Sequence, residues 1–221
     1  TASISDAVTT ITEYGTVKSI NGWYNGKTYG EIWGYRVDRL FQNDDFARDA
    51  NGKLIEVLTA DNRYTVNKYA DGKEYATQGY LQSGKLRFGP GDVKFMDLNG
   101  DGVIDQGQGL IDDHGDLDVI GNTTPRYEYS FRIDLGYKDF DFSMFWQGIG
   151  KRDMWGSYSL TLPGFNTSDG AMAQTFAGDF WYETKDDKGN VIDSNYDAFY
   201  PRAANTSNGS IFNMVPNDRY L

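Results

Sequence analysis

The residues with the clearest chemical potential lie in an acidic, glycine-containing stretch near the middle of the chain. Between residues 97 and 105 an oxygen ligand is available at every second position, and Gly102 stands where a sharp turn is needed. The candidate ligands are the side chains of Asp97, Asn99, Asp101 and Asp105 and the backbone carbonyl of Val103. Because oxygens at this spacing can surround one Ca²⁺ ion, the pattern makes this loop a candidate calcium site.

The same stretch departs from the EF-hand pattern in two ways. Gln108 occupies the position of the bidentate glutamate, and no helical periodicity flanks the loop. A weaker calcium loop, completed by Asp112 or Asp113, is one interpretation. The other, which we rank ahead, is a cluster of Asx-Gly turns that needs no ion, since Asn and Asp side chains bond their own backbone.

Residue constellations that could catalyse a reaction are scarce in this sequence. There is no cysteine, which excludes a thiol nucleophile and cysteine-ligated zinc. The one histidine, His114, lies in an acidic stretch without an accompanying nucleophile elbow, so we interpret it as a turn residue satisfied by backbone or water. Nothing singles out a carboxylate pair for glycoside hydrolysis among the 32 acidic residues. We therefore expect no enzyme activity.

The strongest structural signal is an alternation of apolar and polar residues that changes parity at Lys138 and Asp139. The apolar residues are Tyr127, Tyr129, Phe131, Ile133, Leu135 and Tyr137, then Phe140, Phe142, Met144 and Trp146. A hairpin that turns at Lys138 and Asp139 brings the two apolar faces together. The register pairs Leu135 with Phe142, Ile133 with Met144 and Phe131 with Trp146. Only Phe145 breaks the pattern of the polar face.

The length of these two strands suits a membrane. Each has about the 9–11 residues that a tilted transmembrane strand needs, with aromatic residues near both ends. A hairpin that covers the core of a soluble β-sandwich fits the alternation as well. No apolar run approaches the ~20 residues of a membrane helix.

The chain as a whole has the composition of a β protein with long, structured loops. Aromatic residues make up 15% of the sequence, and glycine occurs 26 times. The best helical candidate is a short turn in which residues 43–45 would cap residues 46–48. The net charge of −11 argues against nucleic acid and anionic membrane surfaces as partners.

Several segments, in the right order, resemble the SusC/RagA-type TonB-dependent outer-membrane transporters of Bacteroidetes. They are residues 29–42 (YGEIWGYRVDRLFQ), 89–105 (GPGDVKFMDLNGDGVID), 112–116 (DDHGD), 119–127 (VIGNTTPRY), 137–148 (YKDFDFSMFWQG) and 200–203 (YPRA). The similarity covers nearly the whole chain.

The resemblance implies an all-β fold: a fragment, from the C-terminal half, of a transmembrane antiparallel β-barrel with long extracellular loops. It divides the chain into extracellular loop regions at residues 1–123 and 150–221 and a transmembrane hairpin at residues 124–149. The expected location is the bacterial outer membrane. The expected partners are the rest of the barrel and its plug, a SusD-like surface lipoprotein, TonB through an absent N-terminal part, and a glycan or peptide substrate.

Two questions stay open at the level of the sequence. The alternative function is a secreted, Ca²⁺-stabilised β module that binds carbohydrate, and a glycosidase fragment ranks third. No residue identifies the substrate. Trp155, Tyr158 and Trp181 could stack on sugars, although loop aromatics more often pack the loop itself.

Overall fold

The computed structural model describes residues 2–6, 18–155, 178–203, 209–211 and 215–221. These residues form thirteen β-strands and two 3₁₀ turns, at Asn43–Asp45 and Gly79–Leu81, and no α-helix. The strands are β1 Ala2–Asp6, β2 Glu31–Tyr35, β3 Val37–Leu40, β4 Glu56–Leu58, β5 Thr65–Asn67, β6 Gln82–Gly84, β7 Val93–Phe95, β8 Leu117–Asn122, β9 Tyr127–Tyr137, β10 Phe140–Gly150, β11 Tyr182–Lys185, β12 Val191–Asn195 and β13 Gly209–Ile211. The described part of the chain is thus all-β, as predicted. None of it forms a helix with the length and apolar character required to cross a bilayer.

Strands β9 and β10 form the long hairpin that the parity switch predicts. Both have eleven residues, and the chain reverses at Lys138 and Asp139. The register pairs Phe142 with Leu135, Met144 with Ile133 and Trp146 with Phe131, which confirms the predicted pairing. The alternation fixes this register because a slip by one residue would move every apolar side chain to the polar face.

Strand β1 adds a third, unpredicted strand on the free edge of β9. It runs antiparallel to β9, with Ala2 opposite Phe131 and Asp6 opposite Tyr127. Gly150, the last residue of β10, is also paired with Tyr127. The end of β1, the start of β9 and the end of β10 therefore lie at the same end of the three-stranded sheet, opposite the Lys138–Asp139 turn.

The remaining strands form five short antiparallel pairs: β2 with β8, β3 with β7, β4 with β5, β6 with β13 and β11 with β12. Buried apolar side chains from some of these strands and from the segments between them share one core, composed of Ile20, Tyr35, Leu40, Phe41, Phe46, Leu81, Phe88, Val93, Phe95, Ile104, Leu117, Trp181, Ala198 and Tyr220. Residues from before and after the hairpin thus pack together. We call this unit the loop body; it comprises the described residues from 18 to 124 and from 151 to 221.

The predicted helical turn at residues 46–48 is wrong. The 3₁₀ turn is formed by Asn43–Asp45 itself, whereas Phe46 bridges to Tyr69 and Arg48 bridges to Leu54 as extended chain. Pairing with neighbouring segments overrides the local capping pattern because the bridges bury Phe46 in the core.

Two of the fully buried carboxylates in the loop body are held by ion pairs. Asp92 receives two bonds from Arg202, at 2.8 and 2.9 Å. Asp45 receives a two-pronged pair from Arg39, at 2.6 and 2.7 Å, and further bonds from Lys73 and Tyr75. Burial alone would raise the pKa of Asp45, but the hydrogen bonds from these donors outweigh burial and hold that pKa well below its usual range.

Candidate functional site

The apolar face of the β9–β10 hairpin is not covered by the loop body. Relative exposure is 37% for Ile133, 62% for Leu135 and 80% for Phe140, although each is a large apolar side chain. Phe131, Phe142 and Trp146 on the same face are exposed as well. A continuous exposed apolar surface of this kind is unusual for a soluble monomer and marks a surface that meets lipid or another protein.

The opposite face of the hairpin carries a polar network. The Arg132 guanidinium lies 2.9 Å from a carboxylate oxygen of Asp134, and the Ser143 hydroxyl donates to that carboxylate at 2.7 Å. Arg132 and Asp134 therefore lie on the face away from Ile133, as the alternation predicts. Phe145 is 63% exposed on this polar face and remains the exception noted from the sequence.

Aromatic side chains pack across the two strands of the hairpin. The rings of Phe131 and Trp146 stack with their planes 6° apart and their centroids 6.0 Å apart. Gly148 lies opposite Tyr129, whose ring occupies the space that a Cβ atom at position 148 would need. A glycine covered by a cross-strand aromatic ring keeps an extended strand well packed despite its missing side chain.

The Asp97–Asp105 stretch folds as a series of tight turns. The Asp97 carboxylate accepts hydrogen bonds from the amides of Gly100 and Gly102, at 2.6 and 2.9 Å. The side chains of Asn99 and Asp101 each accept a bond from the backbone amide two residues further on. The Asx-Gly turns predicted from the spacing are therefore present.

Asp116 closes this loop, and sequence reasoning did not single it out. Its fully buried carboxylate accepts the amides of Leu98 at 2.8 Å and Asp105 at 3.0 Å, and so joins the two ends of the loop. Burial raises the pKa of Asp116, and the nearby charge of Asp97 acts in the same direction. The backbone hydrogen bonds oppose that rise. The only local sign of this role in the sequence is that Asp116 directly precedes the apolar strand β8.

The other acidic candidates take separate positions. Asp113 pairs through its backbone with Leu110, and Asp112 is exposed. Among the residues described here, no three carboxylate or imidazole side chains are grouped to hold a metal ion. Calcium binding by Asp97, Asn99, Asp101, Val103 and Asp105 stays a prediction.

The aromatic candidates for sugar stacking have different environments. Trp181 is buried, and its indole N–H donates to Gln42. Trp181 therefore packs the loop itself. Trp155 is partly buried against the core, and Tyr158 lies outside the described residues.

His114 packs against Trp33 with ring centroids 5.5 Å apart, and within the described ranges its buried Nδ1 has no hydrogen-bond partner.

Comparison with known proteins assigns no relative. No protein-family model matches the chain, and no curated protein matches it significantly.

Proposed function

We propose that this chain is part of a TonB-dependent outer-membrane nutrient importer of the SusC/RagA type. It contributes barrel strands and a folded extracellular cap to glycan or peptide uptake with a SusD-like lipoprotein, and it catalyses no reaction. The observation that carries the proposal is the bare, uncharged apolar face of a hairpin whose two strands have eleven residues each. Charged side chains cost roughly 2–4 kcal/mol on the lipid face at mid-depth, and this face has none.

The topology of the three-stranded sheet supports the same proposal. A two-residue turn joins β9 and β10 at one end, whereas the chain between β1 and β9 and the chain after β10 leave from the other end. Outer-membrane barrels have short turns on the periplasmic side and long loops outside the cell. The loop body would then be the extracellular cap.

The alternative, a secreted carbohydrate-binding β module, requires a protein core against the apolar face of the hairpin. Phe131, Ile133 and Phe142 remain exposed beside the loop body, which disfavours a soluble sandwich. Their exposure is that expected of side chains whose natural surroundings are lipid.

Quenching of tryptophan fluorescence by brominated lipid tests the proposal. The chain is reconstituted into phosphatidylcholine bilayers with and without brominated acyl chains. We expect partial quenching that is lost in Trp146→Phe, because Trp146 is 54% exposed on the apolar face. It should be kept in the control Trp33→Phe, since Trp33 packs against the core of the loop body. Quenching that does not depend on Trp146 would contradict lipid contact by this face.

A further inference from the structure

An open cleft in the loop body concentrates positive charge in a chain with a net charge of −11. The cleft has a volume of about 430 Å³, within the usual range for ligand sites. Its charged lining comprises Arg48, Lys53, Lys85, Arg87, Arg202 and Glu56. Five cations against one carboxylate reverse the sign of charge found over the chain as a whole.

Within the described part of the chain, most of this positive charge has no acidic partner at ion-pair distance. Arg202 is paired with a buried carboxylate, but the partners described for the Arg48 guanidinium are a backbone carbonyl and an amide oxygen. Lys53 and Lys85 form no side-chain ion pair with any residue that the structure describes. A concave surface lined by charges of one sign focuses the electric field and attracts ligands of the opposite sign.

Arg87 adds a guanidinium that the backbone holds in place. Its Nη1 donates to the carbonyls of Gly84 and Leu86, at 2.6 and 2.8 Å. Its Nε is buried, and no acceptor for it occurs in the described ranges. Arg87 thus adds a positive charge to the lining, and a guanidinium is well suited to a carboxylate.

The uncharged part of the lining distinguishes between classes of acidic ligand. Leu54, Leu86 and Pro90 provide an aliphatic wall, and the described lining contains no aromatic ring on which a sugar could stack. Asn67 is already engaged, because its side-chain amide donates to the Phe88 carbonyl at 2.7 Å. Cations beside aliphatic side chains suit a peptide that carries both acidic and aliphatic residues.

We propose that this cleft binds an acidic peptide, with its carboxylates on Lys53, Lys85 and Arg87 and an aliphatic side chain against Leu54 and Leu86. The inference deepens the proposed function by naming a substrate class. It is tested by binding alone, so its failure is distinguishable from a failure of the lipid-contact experiment.

The test is fluorescence anisotropy with the full chain in detergent. The probe is a fluorescein-labelled pentapeptide of alternating glutamate and leucine, and its control has glutamine in place of glutamate. The double variant Lys53→Gln/Lys85→Gln should bind the acidic probe roughly tenfold more weakly, the combined effect of two partly exposed charge pairs. Lys188→Gln, an exposed lysine of the β11–β12 turn, is the matched control and should bind like the wild type. Added salt should weaken binding.

Three results would overturn the proposal. They are equal affinity for the acidic and glutamine probes, wild-type affinity in the double variant, and tighter binding of trigalacturonate than of the acidic peptide. The last result would assign the cleft to an anionic sugar instead. Circular dichroism of the double variant should match the wild type, because neither lysine side chain has an ionic partner in the described chain.

Discussion

Replacing Ile133 by arginine is the most direct perturbation of the exposed apolar face of the hairpin. Ile133 lies next to the midpoint of β9, opposite Met144, and 37% of its surface is exposed on the uncharged face. In lipid, the guanidinium would replace an aliphatic side chain near mid-depth. In water, the same change on an exposed position would alter stability little.

The expected magnitude depends on which solvent the face meets. Arginine on the lipid face near the midplane costs roughly 2–4 kcal/mol. Because about 1.4 kcal/mol is a factor of ten, the equilibrium between inserted and uninserted protein should fall roughly 30- to 700-fold. The matched control is Gln147→Arg in β10, since Gln147 pairs with Ser130 on the polar face. This control should change the equilibrium much less.

The assay is a urea titration of the protein folded into phosphatidylcholine liposomes, followed by tryptophan fluorescence and by retention with the liposomes. We expect a lower urea midpoint for Ile133→Arg only. If the two arginine variants shift the midpoint equally, the two faces of the hairpin do not differ in the surroundings that they meet. If Ile133→Arg behaves as the wild type, the face does not meet lipid, and the reasoning is refuted.

Three further predictions concern stability. Asp92→Asn should lower the free energy of unfolding by roughly 3–5 kcal/mol, because it leaves the Arg202 charge without its buried partner. Asp71→Asn, which removes an exposed ion pair, should change it by about 0–1 kcal/mol in the same urea titration. For Asp45 the folded pKa lies below the unfolded value, so its stabilising contribution is present above the unfolded pKa and is lost as the pH falls below it. The urea midpoint should therefore decrease as the pH falls through the acidic range, and this decrease should be smaller in Asp45→Asn. An equal decrease in the variant and the wild type would contradict the lowered pKa of Asp45. Lys138→Gly should stabilise the protein by about 1 kcal/mol, since Lys138 has a φ of 51° that glycine adopts without steric cost. A lower thermal midpoint for this variant would argue against strain in the turn.

The sequence allowed the hairpin to be predicted in register because one rule acts over its whole length. An alternation of period two, with a parity change at Lys138, leaves one arrangement in which both apolar faces coincide. The loop body has no such constraint. β2 at Glu31–Tyr35 pairs with β8 at Leu117–Asn122, and strands of three to six residues carry too little pattern to identify partners so far along the chain.

The candidate sites also differ in how far they could be predicted, because some depend on local contacts and others on contacts between distant segments. The Asp97–Asp105 turns were predictable, because each Asx side chain bonds a backbone amide only a few residues away. The closing role of Asp116 and the basic cleft depend on segments brought together by the core. Arg48, Arg87 and Arg202 come from three separate parts of the chain, so their shared cleft was not visible from spacing.

The junction between the hairpin and the loop body suggests how the two could act together. Beyond the paired strands, the Arg126 amide donates to the Lys151 carbonyl at 3.1 Å, and Asp153 and Asn122 exchange bonds at 2.9 Å. The Thr123 amide continues to the Gly30 carbonyl at 2.7 Å, within the loop body. Hydrogen bonds therefore run without a break from the strands into the loop body. In the proposed transporter the loop body would be held as a rigid extension of the barrel rim rather than as a set of independent loops. A preformed basic cleft on a loop body held in this way would meet its ligand without the entropic cost of ordering a loop, because that cost is already met when the protein folds.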